Sequence, residues 1–205
     1  MKHQIVVIHG GDSFDTYEEY LKFLKDWRID FEEYRNPESG WKKNLAKDLG
    51  PDFEVIMPNM PNEINAKYLE WKIWFEKFIP YFEKEVVLIG HSQGGIFLAK
   101  YLSENKFSKK IVATFLVAAP YDDKESDYSL ADFKLTKSLV KLEEQGGQIF
   151  IYHSEDDKVV SFADFAGYKK ELKNATIRVF KDRGHFNQVK LPEIIKDIKN
   201  ICLKK

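Results

Sequence analysis

One ten-residue stretch constrains this chain more than any other: Val86-Val87-Leu88-Ile89-Gly90-His91-Ser92-Gln93-Gly94-Gly95. An apolar, β-branched run suited to a buried strand leads into a serine framed by glycines, and a helix-forming stretch begins at Ile96. A serine at the tip of a sharp strand-to-helix turn is held in a strained backbone conformation. The positions two before and two after it must then be nearly free of side chain, and Gly90 and Gly94 meet that need. A bare G-x-S-x-G arises by accident in on the order of one chain in fifteen of this length. The flanking pattern therefore carries the weight: a strand before, a helix after, and candidate partners downstream in the order Ser, Asp, His.

Six short apolar runs, at 4–8, 53–57, 86–90, 111–118, 148–153 and 175–180, alternate with helical patterns. Runs that are apolar at nearly every position suit strands buried on both faces, and helical crossovers between them require parallel pairing. The expected architecture is a doubly wound, mostly parallel six-stranded sheet in the order 2-1-3-4-5-6 with helices on both faces. A length of 205 residues with 43% hydrophobic and 32% charged side chains fits one domain spanning 1–205.

The connection between the first two strands is unusually long. Thr16 with Glu19 forms a capping box ahead of the stripe Tyr20, Leu21, Leu24 and Trp27, which predicts a helix over much of 16–28. There is room for a second helix and a loop around Asn36-Pro37-Glu38-Ser39-Gly40. The surplus within 12–40 is expected to be an extra helix packed at the sheet edge, with a small lid as the alternative. From Asn65 to about Phe82, Tyr68, Trp71, Phe75, Phe78 and Phe82 fall at helical spacing and predict a core-facing stripe, with Trp74 on the exposed side. The run Asp122-Asp123-Lys124-Glu125-Ser126-Asp127 lacks the spacing, central glycine and terminal glutamate of a calcium loop and is expected to be a solvated surface loop.

Parallel α/β sheets place functional groups on loops at the carboxyl edge. After the fifth strand, Ser154-Glu155-Asp156-Asp157-Lys158-Val159-Val160 offers the carboxylate that holds a catalytic histidine in one tautomer, and after the sixth, Gly184-His185-Phe186 offers the base. The other histidines fit structural roles: His91 points away from Ser92, His9 braces the first exit turn, His153 ends a strand and His3 precedes one. None has the spacing of a metal pair, so no metal is expected. Attack on an acyl carbon also requires N–H donors for the oxyanion. The Gln93 amide supplies one. The Gly11 amide, in His9-Gly10-Gly11-Asp12, supplies the other, its missing side chain leaving room for substrate. Asp12 is expected to make or cap the turn, the alternative being selection of a cationic substrate.

Lysine plus arginine (32) nearly cancels aspartate plus glutamate (33) without a long basic block, which argues against nucleic acid as a partner. The stretch before Ile5 is too short for a signal-peptide core or membrane span, and the single Cys202 makes no internal disulfide. A cytoplasmic protein without membrane contact, acting on a small-molecule acyl substrate, is expected. Cys202 has no glycine elbow or nearby histidine and is assigned a structural place.

At His9-Gly10-Gly11, Met57-Pro58-Asn59-Met60-Pro61 before the Trp71 helix, Gly90-His91-Ser92-Gln93-Gly94-Gly95, the Asp-x-x-Val loop and Gly184-His185-Phe186, the chain resembles the α/β-hydrolase superfamily. In particular it resembles the compact serine hydrolases related to retinoblastoma-binding protein nine, over nearly its whole length. The D-P-x-V-P pattern common in that group maps the triad acid onto Asp157, with Lys158 and Ser161 in place of the prolines and Asp156 as the alternative. Segment 12–40 departs from the group, whose compact members pass quickly to a tryptophan like Trp41. The resemblance implies hydrolysis of esters, thioesters or amides without a cofactor. The rival expectation is a binding protein that keeps the fold and has lost turnover.

Overall fold

The computed structural model describes residues 2–35, 40–124, 126 and 128–203. The loop expected at 36–39 and residues 125 and 127 of the acidic run lie outside the described residues. Strands β1 (His3–Ile8), β2 (Phe53–Ile56), β3 (Glu85–His91), β4 (Lys110–Val117), β5 (Gln148–Ser154) and β6 (Thr176–Phe180) form one sheet in the order β2-β1-β3-β4-β5-β6. Every pairing is parallel. The order is the expected one, and the sheet is wholly rather than mostly parallel.

The reason lies in the strand residues. Alternate side chains of β1 and β3 enter opposite cores: Val6, Ile8, Val86 and Leu88 join one apolar cluster, Ile5, Val7, Val87 and Ile89 the other. A strand apolar on both faces needs helices on both faces. The first cluster is closed by α4 (Tyr68–Phe78), α5 (Gln93–Glu104), α6 (Val140–Gln145) and α7 (Phe162–Glu171). The second is closed by α3 (Trp41–Leu49) and α8 (Pro192–Leu203).

The aromatic stripe behaves as spacing requires. Tyr68, Trp71 and Phe75 are buried on α4, while Trp74 stays 40% exposed and donates its Nε1–H to the Asn59 carbonyl at 3.0 Å. The helix is shorter than the 65–82 pattern suggests. A 3-10 turn at Ile79–Tyr81 replaces its end, because Pro80 has no N–H to continue the ladder, and another at Glu63–Asn65 precedes its start. Between β1 and β2 lie α1 (Tyr17–Asp26) and α2 (Phe31–Arg35). The Thr16 and Glu19 capping box is formed in both directions. None of the α1 residues is buried; Phe23 and Tyr20 rest against Phe14, and Trp27 remains 53% exposed.

The segment beyond β4 is only partly a surface loop. Leu130 and Phe133 are buried in the first cluster, Asp123 accepts the Leu130 N–H at 2.9 Å, and Asp132 accepts the first α4 amide, that of Tyr68, at 2.9 Å.

Candidate active site

The carboxyl edge of the sheet gathers the residues that the sequence pattern singled out. Ser92 follows β3 directly and opens α5, with φ 55° and ψ −124°. This is a positive φ on a residue with a side chain, strained backbone that the surrounding structure must hold in place. The flanking glycines make the holding possible. A Cβ on Gly90 would sit 2.3 Å from the Gly94 carbonyl oxygen, and one on Gly94 would sit 2.3 Å from the Ile8 carbonyl oxygen and 2.5 Å from that of His9.

The loop after β6 brings His185 over the serine. Its Nε2 lies 2.9 Å from Ser92 Oγ, and its Nδ1 lies 2.9 Å from Oδ2 and 3.2 Å from Oδ1 of Asp157. The Asp157 side chain is 0% exposed. Its Oδ1 also accepts the N–H groups of Val159 at 2.8 Å and Val160 at 3.0 Å. The carboxylate is thus oriented from three directions. With Nδ1–H donated to Asp157, Nε2 carries the lone pair and faces the serine hydroxyl.

Asp156 faces elsewhere. Its Oδ1 accepts the Gly184 N–H at 2.9 Å and the Ser154 hydroxyl, bonds that hold its carboxyl below the usual carboxylate range. Ser154 Oγ in turn accepts the Arg183 N–H at 3.1 Å. The two adjacent aspartates divide the work: Asp157 touches the imidazole, and Asp156 ties down the loop that carries it. His153, buried at the end of β5, contacts the Val160 carbonyl at 3.2 Å and so braces the acid loop.

On the other side of Ser92, the turn after β1 runs close enough that a Cβ on Gly10 would lie 3.2 Å from the serine Cβ. Neither the Gly11 nor the Gln93 N–H donates to an acceptor among the described residues. At the first position of α5 the Gln93 amide has no intrahelical partner by construction. Glycine is required at position 11 for a different reason from the expected one. A Cβ there would meet the Glu63 carbonyl oxygen at 2.5 Å and the Trp71 ring at 3.3 Å, so its absence accommodates the protein's own chain.

Several partners fix this turn. His9 Nε2 accepts the Met60 N–H at 2.8 Å, and its Nδ1 lies 2.6 Å from the Gly10 carbonyl. Asp12 pairs through its main chain, donating to the Glu63 carbonyl at 2.8 Å and accepting from Ala66 at 2.7 Å. Its carboxylate makes no hydrogen bond to the described residues. The residue is exposed, and partial loss of hydration raises its carboxyl above the ordinary value, an effect partly opposed by His185. Ser13, to which the sequence drew no attention, accepts from Gln93 Nε2 at 3.0 Å and donates to the Ser129 carbonyl at 2.8 Å, clasping the turn to the start of α5.

His91 is buried, and burial followed by the neighbouring Lys42 pushes its imidazole well below the usual range. It lies between Lys42 Nζ, 2.8 Å from Nδ1, and the His185 carbonyl, 2.8 Å from Nε2. Trp41 anchors the same loop, donating its Nε1–H to the Phe186 carbonyl and its main-chain N–H to the Gln188 carbonyl, each at 2.8 Å. Among the described residues no group of three or more histidines, cysteines or carboxylates is placed to hold a metal. Cys202 is partly buried in α8, where burial pushes its thiol up to about 11.

Known proteins resemble this chain in sequence or in fold. Serine hydrolase RBBP9 of Rattus norvegicus is 25% identical over 164 residues, covering 79% of this chain and 84% of that one. The ydeN gene product from B. subtilis has a similar fold at a TM-score of 0.73 and 18% identity, over 99% of this chain and 100% of that one. A lipase-esterase related protein from Clostridium acetobutylicum is similar at 0.62 and 14% identity, over 97% and 94%. The serine hydrolase family profile matches residues 34–191, a span that takes in Trp41, the glycine-framed Ser92, the Asp157 loop and His185. By that match the chain belongs to the serine hydrolase family.

Proposed function

We propose that the protein cleaves esters, thioesters or amides of small acyl substrates through a covalent acyl-enzyme on Ser92. One observation carries this reading: the unbroken line from Asp157 through His185 to Ser92, with 2.9 Å at each junction. As Ser92 Oγ attacks the acyl carbon, its proton passes to His185 Nε2, and Asp157 stabilises the imidazolium without taking its proton. The carbonyl oxygen becomes an oxyanion and receives the Gly11 and Gln93 N–H groups, each worth roughly 10²–10³ in turnover if removed. When the intermediate collapses, the acyl–heteroatom bond breaks and His185 returns the proton to the leaving group. A water molecule, deprotonated by the same nitrogen, then attacks the acyl-enzyme and releases the acid and free serine.

This chemistry uses only side chains and amides of the chain and calls for no cofactor. No helix among the described residues is long and apolar enough to cross a membrane. The lone cysteine, which makes no internal disulfide, supports a cytoplasmic place of work.

The test is labelling with a fluorophosphonate probe at neutral pH, with the adduct located by mass spectrometry and turnover measured on ester, thioester and amide panels. Labelling at Ser92, with turnover lost by about a millionfold in Ser92→Ala, is the expected result. A folded protein that is neither labelled nor active would overturn the reading in favour of a binding protein on the same fold.

A further inference from the structure

Placing His185 Nε2 against Ser92 requires that the main chain of the 183–188 loop be held, and much of the holding comes from α3. Trp41 takes two carbonyls of that loop directly. The next residue acts through an intermediary. Lys42 Nζ is 2.8 Å from His91 Nδ1, and His91 Nε2 is 2.8 Å from the carbonyl of His185 itself. An ammonium can only donate, so Nδ1 must be the acceptor; a carbonyl can only accept, so Nε2 must carry the hydrogen. One tautomer satisfies both contacts. A proton on Nδ1 would set donor against donor on one side and leave Nε2 with a lone pair facing the carbonyl on the other.

Lys42 is partly buried, pairs with no carboxylate among the described residues, and burial pulls its ammonium down to about 8. The charged or titratable groups facing His91 are Lys42 from α3, His185 from the loop after β6 and His9 from the turn after β1. Trp41 presents its ring to Lys42 Nζ at 5.8 Å.

We infer that Lys42 is a positioning residue: it locks His91 in the Nε2–H tautomer that grips the His185 main chain, and so sets the reach of His185 to Ser92. This rests on the acyl transfer proposed above. The lock itself is observable without turnover.

The test compares full-length wild type, Lys42→Met and Lys42→Arg, with folding checked by circular dichroism. The His91 ring is followed by nitrogen NMR from about pH 5 to about pH 8, and steady-state kinetics are measured on the best substrate of the panels. In the wild type His91 is expected to stay neutral as the Nε2–H tautomer throughout. In Lys42→Met only the His185 carbonyl is left to select the tautomer, so the Nδ1–H form should become detectable and the ring should take up a proton toward the acid end. The same variant should lose kcat by on the order of tenfold to a hundredfold with KM nearly unchanged, the scale expected when a reacting group is misplaced by a fraction of an ångström to an ångström. Lys42→Arg, which keeps a donor, should restore the tautomer and most of kcat. A Met variant that keeps the single tautomer, or loses it while keeping kcat, overturns the inference. So does an Arg variant no better than Met. If the wild type shows no turnover, the proposed function fails, and the NMR arm still decides whether Lys42 sets the tautomer.

Discussion

Replacing each of the two adjacent aspartates by asparagine separates their roles, and the geometry gives the size of the difference. In Asp157→Asn the amide oxygen stays where two backbone N–H groups, those of Val159 and Val160, converge on Oδ1. The amide NH2 is then forced into the Oδ2 position, 2.9 Å from His185 Nδ1. A donor facing a donor drives the imidazole proton to Nε2, where the ring can no longer accept from Ser92. The expected loss is about 10⁴-fold in kcat, or about 5.4 kcal/mol of barrier. Asp156→Asn keeps an acceptor for the Gly184 N–H and the Ser154 hydroxyl and gives up only the charge on those two bonds, so a loss of no more than about tenfold is expected. The assay is kcat and kcat/KM on an activated ester for both variants, with Ser92 active-site titration to count competent protein. Asp156→Asn falling as far as Asp157→Asn, or Asp157→Asn staying within about tenfold of wild type, would refute the assignment.

Gly94→Ala should be costly to the fold itself, because its methyl would press on the Ile8 and His9 carbonyls at the end of the central strands; a loss of about 3 kcal/mol is expected in urea unfolding. Lys42→Met should make stability less dependent on alkaline pH, since it removes the ammonium's desolvation penalty while leaving the buried His91 Nδ1 without its donor. The folded ammonium is depressed to about 8 from 10.5, so its desolvation penalty is full below pH 8 and relieved as pH rises toward 10.5. Between about pH 7 and about pH 10 the wild type should gain on the variant by about 2 kcal/mol, as read by unfolding both proteins at each pH.

The sheet was legible because its central strands are apolar on both faces: 86–90 and 148–153 were expected and Glu85–His91 and Gln148–Ser154 are found. Helix ends were less so, since the Tyr68, Trp71 and Phe75 spacing continues through Pro80 as a pattern after the helix has stopped. Ser92, Asp157 and His185 could be picked out because each stands where a parallel sheet delivers residues to its edge, and the glycine frame marks the first of them. Ser13, Lys42 and Ser154 could not. Each acts on a backbone carbonyl, a backbone amide or another side chain far away in sequence, a relation that leaves neither periodicity nor motif. Position 11 shows the converse. The glycine was noticed, but the Glu63 carbonyl that requires it belongs to a turn some fifty residues on.

No α1 residue is buried, and the described side chains of α2 are exposed as well. The stretch from Thr16 to Arg35 therefore contributes little to the free energy that holds the sheet together. Its amides should exchange with solvent through local opening, independently of global unfolding. Over evolutionary time, this connection can lengthen, shorten or change sequence at almost no thermodynamic cost. Divergence among relatives of this chain should appear there first, while the elbow, the acid loop and the Trp41 anchor stay fixed.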